Sequence, residues 1–432
     1  MTASLSPNAV VAVVGTGAMG AGIAQVAAAA GHTVRLLDAR EGAAAAAIDG
    51  LRAQFGKLAD KGRMDAAAAQ AAGNRLIAAA DLSELADAAL VVEAIVENLD
   101  AKQKLFAGLE SIVGDDCILG TNTSSISITA IGAALRRPER LAGLHFFNPA
   151  PLMALVEVVS GLATDRAVAD TLFATAKAWG KVPVHAKSTP GFIVNRVARP
   201  YYAEALRLAQ EGAADYATID AVMREAGGFR MGPFQLMDMI GHDVNFAVTK
   251  SVWSAFYHDP RFLPSLIQQE LVDGGFFGKK SGRGFYDYRE GAAAALPSAE
   301  APQPLPSTLC ICGESPAALA LTDRLQSAGA PFTKTGSPDG RIAVAGDTVL
   351  YVTDGRSATR RASDLGLTNL VLVDLALDYA QASRIAIAAA AQCAPGGAEA
   401  AAALLQAAGL QVSRFADVPG LAVMRTVAML AN

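Results

Sequence analysis

Residues 10–14 are apolar at every position and mostly valine, and the run stops at Gly15. Such a run, apolar toward both faces, predicts a strand covered on both sides rather than one half exposed to water. Gly15-Thr16-Gly17-Ala18-Met19-Gly20 then opens a helical stretch to about residue 30, and a second apolar strand, 33–37, ends on Asp38. The alternation continues with a helix at 41–61, a strand at 90–92, a helix at 101–112 and a strand at 118–120. Strands at 141–144 and 155–159, a helix to about residue 179 and a strand at 182–185 follow. Buried strands separated by helices predict an α/β Rossmann-type fold, a doubly wound parallel sheet with right-handed crossovers.

The period changes after Pro190-Gly191. From 192 to about 280 it is helical, with no strand run, which predicts an all-helical second domain. Residues 290–308 place Pro297, Pro302, Pro304 and Pro306 among Ala and Ser, the composition of a semi-stiff linker. Strand-helix alternation then resumes, with apolar runs at 309–311, 342–345, 349–352 and 370–374. Val418-Pro419-Gly420-Leu421-Ala422-Val423-Met424-Arg425 matches Thr189-Pro190-Gly191-Phe192-Ile193-Val194-Asn195-Arg196 in Pro, Gly, Val and Arg, at the same place in the element order. The chain therefore divides into a nucleotide-binding domain (1–189), a helical substrate and dimerisation domain (190–289), a Pro/Ala linker (290–308), a degenerate second Rossmann-like domain (309–416) and the start of a second helical domain (417–432).

Composition narrows the function. The 432 residues are 52% hydrophobic and 18% charged, with a net charge of −5. That balance excludes a disordered chain, and without a basic stretch nucleic acid is not an expected partner. Four cysteines make no disulfide framework, and Cys310-x-Cys312 lies in an apolar run with no histidine nearby, so neither disulfides nor a metal is expected. A reducing, cytoplasmic setting fits. No charged residue precedes Arg35, but the stretch lacks a positive n-region and is interrupted by Gly15, Gly17, Gly20 and Gly22, so it reads as neither signal peptide nor membrane span.

In the glycine turn, Gly15 permits the tight bend, Gly17 lets a pyrophosphate approach the backbone, and Gly20 lets helix and strand pack closely. Asp38 stands where a carboxylate accepts from the adenosine ribose, favouring NAD over NADP; nearby Arg40 weakens that preference. The plainer reading is a glycine turn that binds nothing. His145 follows an apolar strand at the carboxyl edge of the sheet, and Glu157 lies within another apolar strand. A lone buried carboxylate needs a partner, and a carboxylate on one imidazole nitrogen makes the other a base, although a structural His–Glu pair is equally open. His32, His185, His242 and His258 read as surface or packing residues, the run 121–125 as a helix-capping segment, and Lys102 and Lys104 as a solvated helix face.

Together these strings resemble the L-3-hydroxyacyl-CoA dehydrogenase family over residues 8–290. Those that carry the resemblance are the glycine turn, Val91–Glu97, Thr121-Asn122-Thr123-Ser124-Ser125, Gly143-Leu144-His145-Phe146-Phe147-Asn148-Pro149, the Pro190–Arg196 string, Met231-Gly232-Pro233-Phe234 and the Phe277–Tyr286 string. The resemblance implies NAD-dependent oxidation of an L-3-hydroxyacyl-CoA to the 3-oxoacyl-CoA, of short or medium chain such as a hydroxybutyryl or hydroxyadipyl ester. It implies His145 as general base, Glu157 as its orienting partner, and Ser124 and Asn195 on the substrate oxygen. Glu97, Lys102, Asn148 and Lys280 would join Gly15, Gly17, Gly20 and Asp38 on the cofactor side. Lys57 and Lys61, four apart on one helix, would meet CoA phosphates, although Gln54 stands where the family often has serine. The site is expected in a cleft between the first two domains, and a homodimer or larger homo-oligomer is implied.

Past the linker the chain looks like long bacterial members with a decayed second module. Gly313-Glu314-Ser315-Pro316-Ala317 lacks the second glycine, and Met424 replaces Asn195, so this copy should neither bind a dinucleotide nor catalyse. The length then predicts a natural chain that continues beyond Asn432 with a second helical domain. Two rivals carry different chemistry: a dehydrogenase of a small hydroxy compound without CoA, and a catalytically silent protein on the same scaffold.

Overall fold

The computed structural model describes residues 3–432, which divide after Arg196 into two compact units. In the first, β1 (Val10–Val14), β2 (Val34–Leu37), β3 (Leu76–Ala78), β4 (Ala88–Glu93), β5 (Ile118–Thr121), β6 (Leu141–Phe146), β7 (Leu155–Ser160) and β8 (Val182–Lys187) form one sheet. Its order is β3-β2-β1-β4-β5-β6-β7-β8. Alternate residues of β1 enter two different cores, which is why its sequence is apolar throughout. Val11 and Val13 pack with Ile23 of α1 (Ala18–Ala29), Phe55 of α2 (Ala43–Asp60), Ala72 of α3 (Ala66–Asn74) and Leu172 further along. Ala12 and Val14 pack with Phe106 and Leu109 of α4 (Leu99–Glu110) and Ile131 of α5 (Ile128–Gly132). Leu172 belongs to α6 (Arg166–Ala178).

One feature differs from an all-parallel sheet: β7 runs antiparallel to β6. The short loop 147–154 between them cannot make the dozen-residue crossover that a parallel pair requires. The reversal sets His145 directly opposite Glu157 in the register.

Gly15 has φ 97°, and a Cβ there would meet the Ala94 carbonyl oxygen at 2.5 Å. At Gly20 a Cβ would lie 1.8 Å from the Gly15 carbonyl oxygen, so only glycine lets α1 begin so close to β1. Gly20→Ala must displace backbone rather than a side chain. It is expected to cost about 3 kcal/mol, read from the urea midpoint of unfolding, with a parallel loss of NADH binding.

In the second unit, reached through α7 (Val194–Val197), come α8 (Arg199–Gln210), α9 (Tyr216–Glu225), α10 (Pro233–Ile240), α11 (His242–Ala255) and α12 (Leu266–Asp273). The second sheet is built from β9 (Leu309–Cys312), β10 (Thr333–Thr335), β11 (Ala343–Ala345), β12 (Thr348–Val352), β13 (Leu370–Val373), β14 (Arg384–Ala389) and β15 (Gln411–Arg414). Its order is β10-β9-β11-β12-β13-β14-β15, and α13 (Pro316–Ser327), α14 (Ala358–Leu365), α15 (Gly397–Ala407) and α16 (Val423–Ala431) complete the module. β10 and β15 are edge strands with mostly exposed or polar residues, which is why the hydrophobic pattern does not reveal them.

The helical segment and the second sheet are not independent. Tyr201, Ile219 and Phe234 share one apolar cluster with Leu350, Ile385, Phe415 and Val423. Arg425 of α16 also pairs with Glu204 and Glu211, at 2.6 Å each. Residues 290–308 carry no helix or strand, yet they are no free spacer. Ser298 N–H donates to Thr218 Oγ1 at 2.7 Å, Glu300 N–H to the Val412 carbonyl at 2.7 Å, and Arg414 pairs with Glu300 at 2.8 Å. The strap thus covers part of the β15 edge that would otherwise offer unpaired backbone groups.

The internal repeat extends to backbone detail. Gly191 and Gly420 have φ 73° and 76°, and the next residues, Phe192 and Leu421, share φ values of 48° and 53°. His145 and Asp374 precede those glycines by the same number of residues, and Ala386 stands at the position of Glu157.

Candidate active site

At the nucleotide end, α1 starts at Gly17 with no side-chain cap and no acid in its first turn. A Cβ at Gly17 would meet nothing within 4 Å, so the space beside these free N–H groups is open. Asp38 ends the next strand and is held by Thr16, whose N–H and hydroxyl donate to Oδ2 at 2.9 and 2.7 Å; Arg40 Nε donates to Oδ1 at 3.2 Å. Burial alone would raise the Asp38 carboxyl, but the bonds from Arg40 and Thr16 hold it well below the usual range. A fixed anion beside an uncapped helix start fits a dinucleotide with a free ribose diol. Thr16 as the anchor of Asp38 is not visible in the sequence pattern. The second module lacks this arrangement: Ser315 caps α13 by accepting from the Ala318 N–H.

His145 and Glu157 are 4% and 0% exposed. His145 Nδ1 lies 2.6 Å from Glu157 Oε2, while Glu157 Oε1 accepts from the Ile193 and Val194 N–H groups at 3.0 and 2.9 Å. With the Glu157 carboxylate as the partner of Nδ1, the bonding pattern puts the ring proton there and leaves the Nε2 lone pair available. Phe147 and Phe192 flank the ring, with centroids 4.5 and 5.7 Å away. In the second module the corresponding amides of Ala422 and Val423 donate instead to Asp374 Oδ2, at 3.0 and 2.8 Å. Burial pushes Asp374 up to about 6 despite those amides, and no imidazole stands beside it.

The run 121–125 does more than cap a helix. Ser124 is half-buried, and Asn195 Nδ2 donates to its carbonyl oxygen at 3.4 Å, which brings these two residues together. Asn122 Oδ1 accepts from the Phe146 N–H at 2.8 Å, tying the same loop to the strand that carries His145. Glu97 Oε1 accepts from the Thr123 hydroxyl at 2.6 Å and from the Ser124 and Ser125 N–H groups at 3.0 Å each.

Lys102 corrects the reading of a solvated helix face: it is 1% exposed, with Nζ 2.6 Å from Glu93 and 3.3 Å from Glu97. Glu93, also fully buried, accepts further from Thr121 Oγ1 at 2.6 Å. Its signal was the one used for Glu157, a lone acid in an apolar strand, here at the strand's end. Asn148, Lys57 and Lys61 are exposed, the last two along the end of α2. In the second unit Lys280 pairs with Asp243 at 2.6 Å.

His242 is the other correction, for it has a carboxylate partner after all. Its Nε2 lies 2.7 Å from Asp238 Oδ1, and Gln268 Nε2 donates to Nδ1 at 3.2 Å, all fully buried. Asp238 also accepts from the Phe285 and Tyr286 N–H groups and the Tyr288 hydroxyl at 2.9–3.0 Å. These bonds fasten the glycine-rich 277–288 segment to α10. The Asp238→Ala exchange would orphan four donors and is expected to cost about 3 kcal/mol, measured as a lower melting temperature.

Among the described residues no three His, Cys, Asp or Glu side chains group as a metal site, and no helix is long and apolar enough to cross a membrane.

Comparison with known proteins agrees with both modules. The NAD binding domain of 3-hydroxyacyl-CoA dehydrogenase matches residues 10–189 and the C-terminal domain of the same enzyme matches 191–288. A 3-hydroxybutyryl-CoA dehydrogenase reduced Rossmann-fold domain matches 350–419. The chain is 45% identical to the 3-hydroxyadipyl-CoA dehydrogenase of Escherichia coli over 98% of its length and 82% of that protein. It is 43% identical to the mitochondrial hydroxyacyl-coenzyme A dehydrogenase of Sus scrofa, over 65% of this chain and 91% of that one. A crystal structure of 3-hydroxybutyryl-CoA dehydrogenase from Escherichia coli K12 superposes with a TM-score of 0.87 at 44% identity, covering 98% of this chain and 84% of the other. The glycine turn with its fixed Asp38 and the His–Glu pair thus lie in a chain that belongs to the 3-hydroxyacyl-CoA dehydrogenase family and is an NAD-dependent enzyme with a reduced second Rossmann module.

Proposed function

We propose that this enzyme oxidises the 3-hydroxyl of a short- or medium-chain L-3-hydroxyacyl-CoA, of the hydroxybutyryl or hydroxyadipyl type, with His145 as the base. The observation that carries this reading is the buried His145–Glu157 pair at 2.6 Å, set opposite each other by the β6–β7 register. His145 Nε2 takes the hydroxyl proton, and the nearby Glu157 carboxylate stabilises the imidazolium that forms. Ser124 and Asn195 donate to the substrate oxygen as it becomes a ketone. NAD⁺, when bound, supplies the acceptor for the hydride that leaves C3 with its electron pair. Asp38 and the N–H groups of α1 hold that cofactor; Glu97, Lys102 and Asn148 belong to its surroundings. NADH formation at 340 nm from L-3-hydroxybutyryl-CoA tests the activity, and a panel of acyl lengths without any turnover would overturn it.

Lys57 and Lys61 are solvent-facing cations one helical turn apart, and this supports a contact with CoA phosphates. Reversing both to Glu is expected to raise KM for the CoA ester about 10-fold, on the order of 1.4 kcal/mol, and to spare KM for the pantetheine thioester. Equal KM changes for both esters would remove the phosphate role. Exposed Met239, Val244, Leu263 and Leu266 on the helical segment support assembly into a homodimer or larger oligomer. Light scattering should give at least twice the 44.3 kDa chain mass, and a monomer would refute it. The free state of Cys117, Cys310, Cys312 and Cys393 supports a reducing, cytoplasmic setting.

A further inference from the structure

We infer that Lys181 and Gly22 are positioning residues for the loop 147–154, and that they act through it on the hold of Asn148 at the nicotinamide end of the cofactor. The inference rests on the proposed place of Asn148 beside the cofactor. Asn148 lies three residues beyond His145, and the nicotinamide must come to the base for hydride transfer. The adenosine ribose, in the same reading, belongs to Asp38. The loop contains Pro149 and Pro151, which lack N–H groups, so it has few donors of its own for its carbonyls. One side chain supplies them. Lys181 Nζ donates to the Ala150, Pro151 and Met153 carbonyl oxygens at 2.6, 3.3 and 2.9 Å. An ammonium has three N–H donors and no acceptor, so three converging carbonyls use it completely. Lys181 is only 8% exposed, and burial pushes the pKa of its ammonium down from the ordinary lysine value. A cation kept in such a place has to be fully hydrogen-bonded, as this one is. The next residue, Val182, donates its N–H to the Ala154 carbonyl at 2.8 Å, so the start of β8 fixes both the middle and the end of the loop.

Gly22 supports the loop from the other side. Gly15, Gly17 and Gly20 account for the turn and for the close start of α1, and Gly22 has no part in either. A Cβ at Gly22 would lie 3.1 Å from Ala150 Cβ and 3.2 Å from Pro151 Cδ. The same two residues whose carbonyls Lys181 holds therefore rest directly on the bare backbone of α1, with Ala150 fully buried. The helix whose first N–H groups are open to a pyrophosphate is thus also the floor of the loop that carries Asn148. One rigid element then sets the distance between the two ends of the cofactor site. Asn148 is itself exposed, so its aim depends on the anchored backbone just after it.

Binding of NADH and of ADP separates this role from a general loss of structure, because ADP carries the adenosine and diphosphate but lacks the nicotinamide nucleoside. Lys181→Met is expected to raise the NADH dissociation constant about 10-fold, read by fluorescence titration, and to change the inhibition constant of ADP by less than about twofold. Gly22→Ala keeps the lysine and pushes the loop by about a few tenths of an ångström. It should give the same split with a loss of about threefold, and it provides a second route if Lys181→Met folds poorly. In an Asn148→Ala background either exchange should cost less than about twofold in NADH affinity, because its effect passes through a side chain already removed. NADH and ADP weakening in step would overturn the inference in favour of a merely structural role. So would the full loss of NADH affinity in the Asn148→Ala background, or unchanged NADH affinity in both single variants. Unchanged NADH affinity in Asn148→Ala alone would remove the proposed place of Asn148 and this inference with it, an outcome distinct from the others.

Discussion

His145→Ala is expected to lower kcat about 10⁴-fold while the dissociation constant for NADH moves by less than about threefold, the upper range for removing a general base. The geometry separates the two quantities. In the proposed reading the cofactor is held at Asp38 and the uncapped start of α1, neither of which touches His145. Chemistry depends on the Nε2 lone pair, and no other imidazole in the first unit stands beside a buried carboxylate. The variant should also fold, because Glu157 keeps the Ile193 and Val194 amides on Oε1 and loses only its Nδ1 partner. Stopped-flow absorbance of NADH with saturating L-3-hydroxybutyryl-CoA reads the effect. Turnover within tenfold of the wild type would mean that another group takes the proton.

What the sequence revealed of this site follows from where each constraint lives. Gly15, Gly17 and Gly20 answer to a backbone turn that closes within a few residues, so their spacing is legible without any tertiary information. Glu157 announced itself because an acid within an apolar strand has to be paired, and the same reasoning applies to Glu93, which the pattern shows just as plainly. Lys102 was misread because helical spacing beside Lys104 resembles a solvated face; only the packing of α4 against β4 shows that its ammonium is buried between Glu93 and Glu97. His242 had a carboxylate four residues earlier, across the Gly241 break between α10 and α11, a local signal, but the burial that makes the pair significant comes from Phe285 and Gln268 far along the chain. The antiparallel β6–β7 step was hidden for another reason. Strand direction leaves no mark in side-chain pattern, and only the shortness of loop 147–154 constrains it. The strap 290–308 shows the converse: its composition gave the absence of regular structure, while its hydrogen bonds to Thr218 and Val412 depend on partners in other elements.

The second module separates two duties that Glu157 combines. There Asp374 caps the amides after the Pro-Gly turn without any histidine, so holding those amides is a structural task independent of chemistry. In the first module the same amides occupy Oε1, and Oε2 is reserved for His145. Glu157→Gln tests this division. With its amide oxygen facing the Ile193 and Val194 N–H groups, the glutamine cap survives, and its NH₂ takes the place of Oε2. A donor now faces Nδ1, which must accept, so the ring proton moves to Nε2 and the base is lost through its tautomer. The reversed glutamine would set its NH₂ against two N–H donors and leave all of them unsatisfied, which is the costlier choice. The expected result is a fall in kcat of about 10³-fold with stability lowered by only about 1–2 kcal/mol. Nitrogen chemical shifts of His145 should report the exchanged tautomer directly. Glu157→Ala, by contrast, orphans the amides as well and should unfold at a clearly lower temperature than the glutamine variant. Near-normal turnover by Glu157→Gln would reduce this carboxylate to the role that Asp374 plays in the second module.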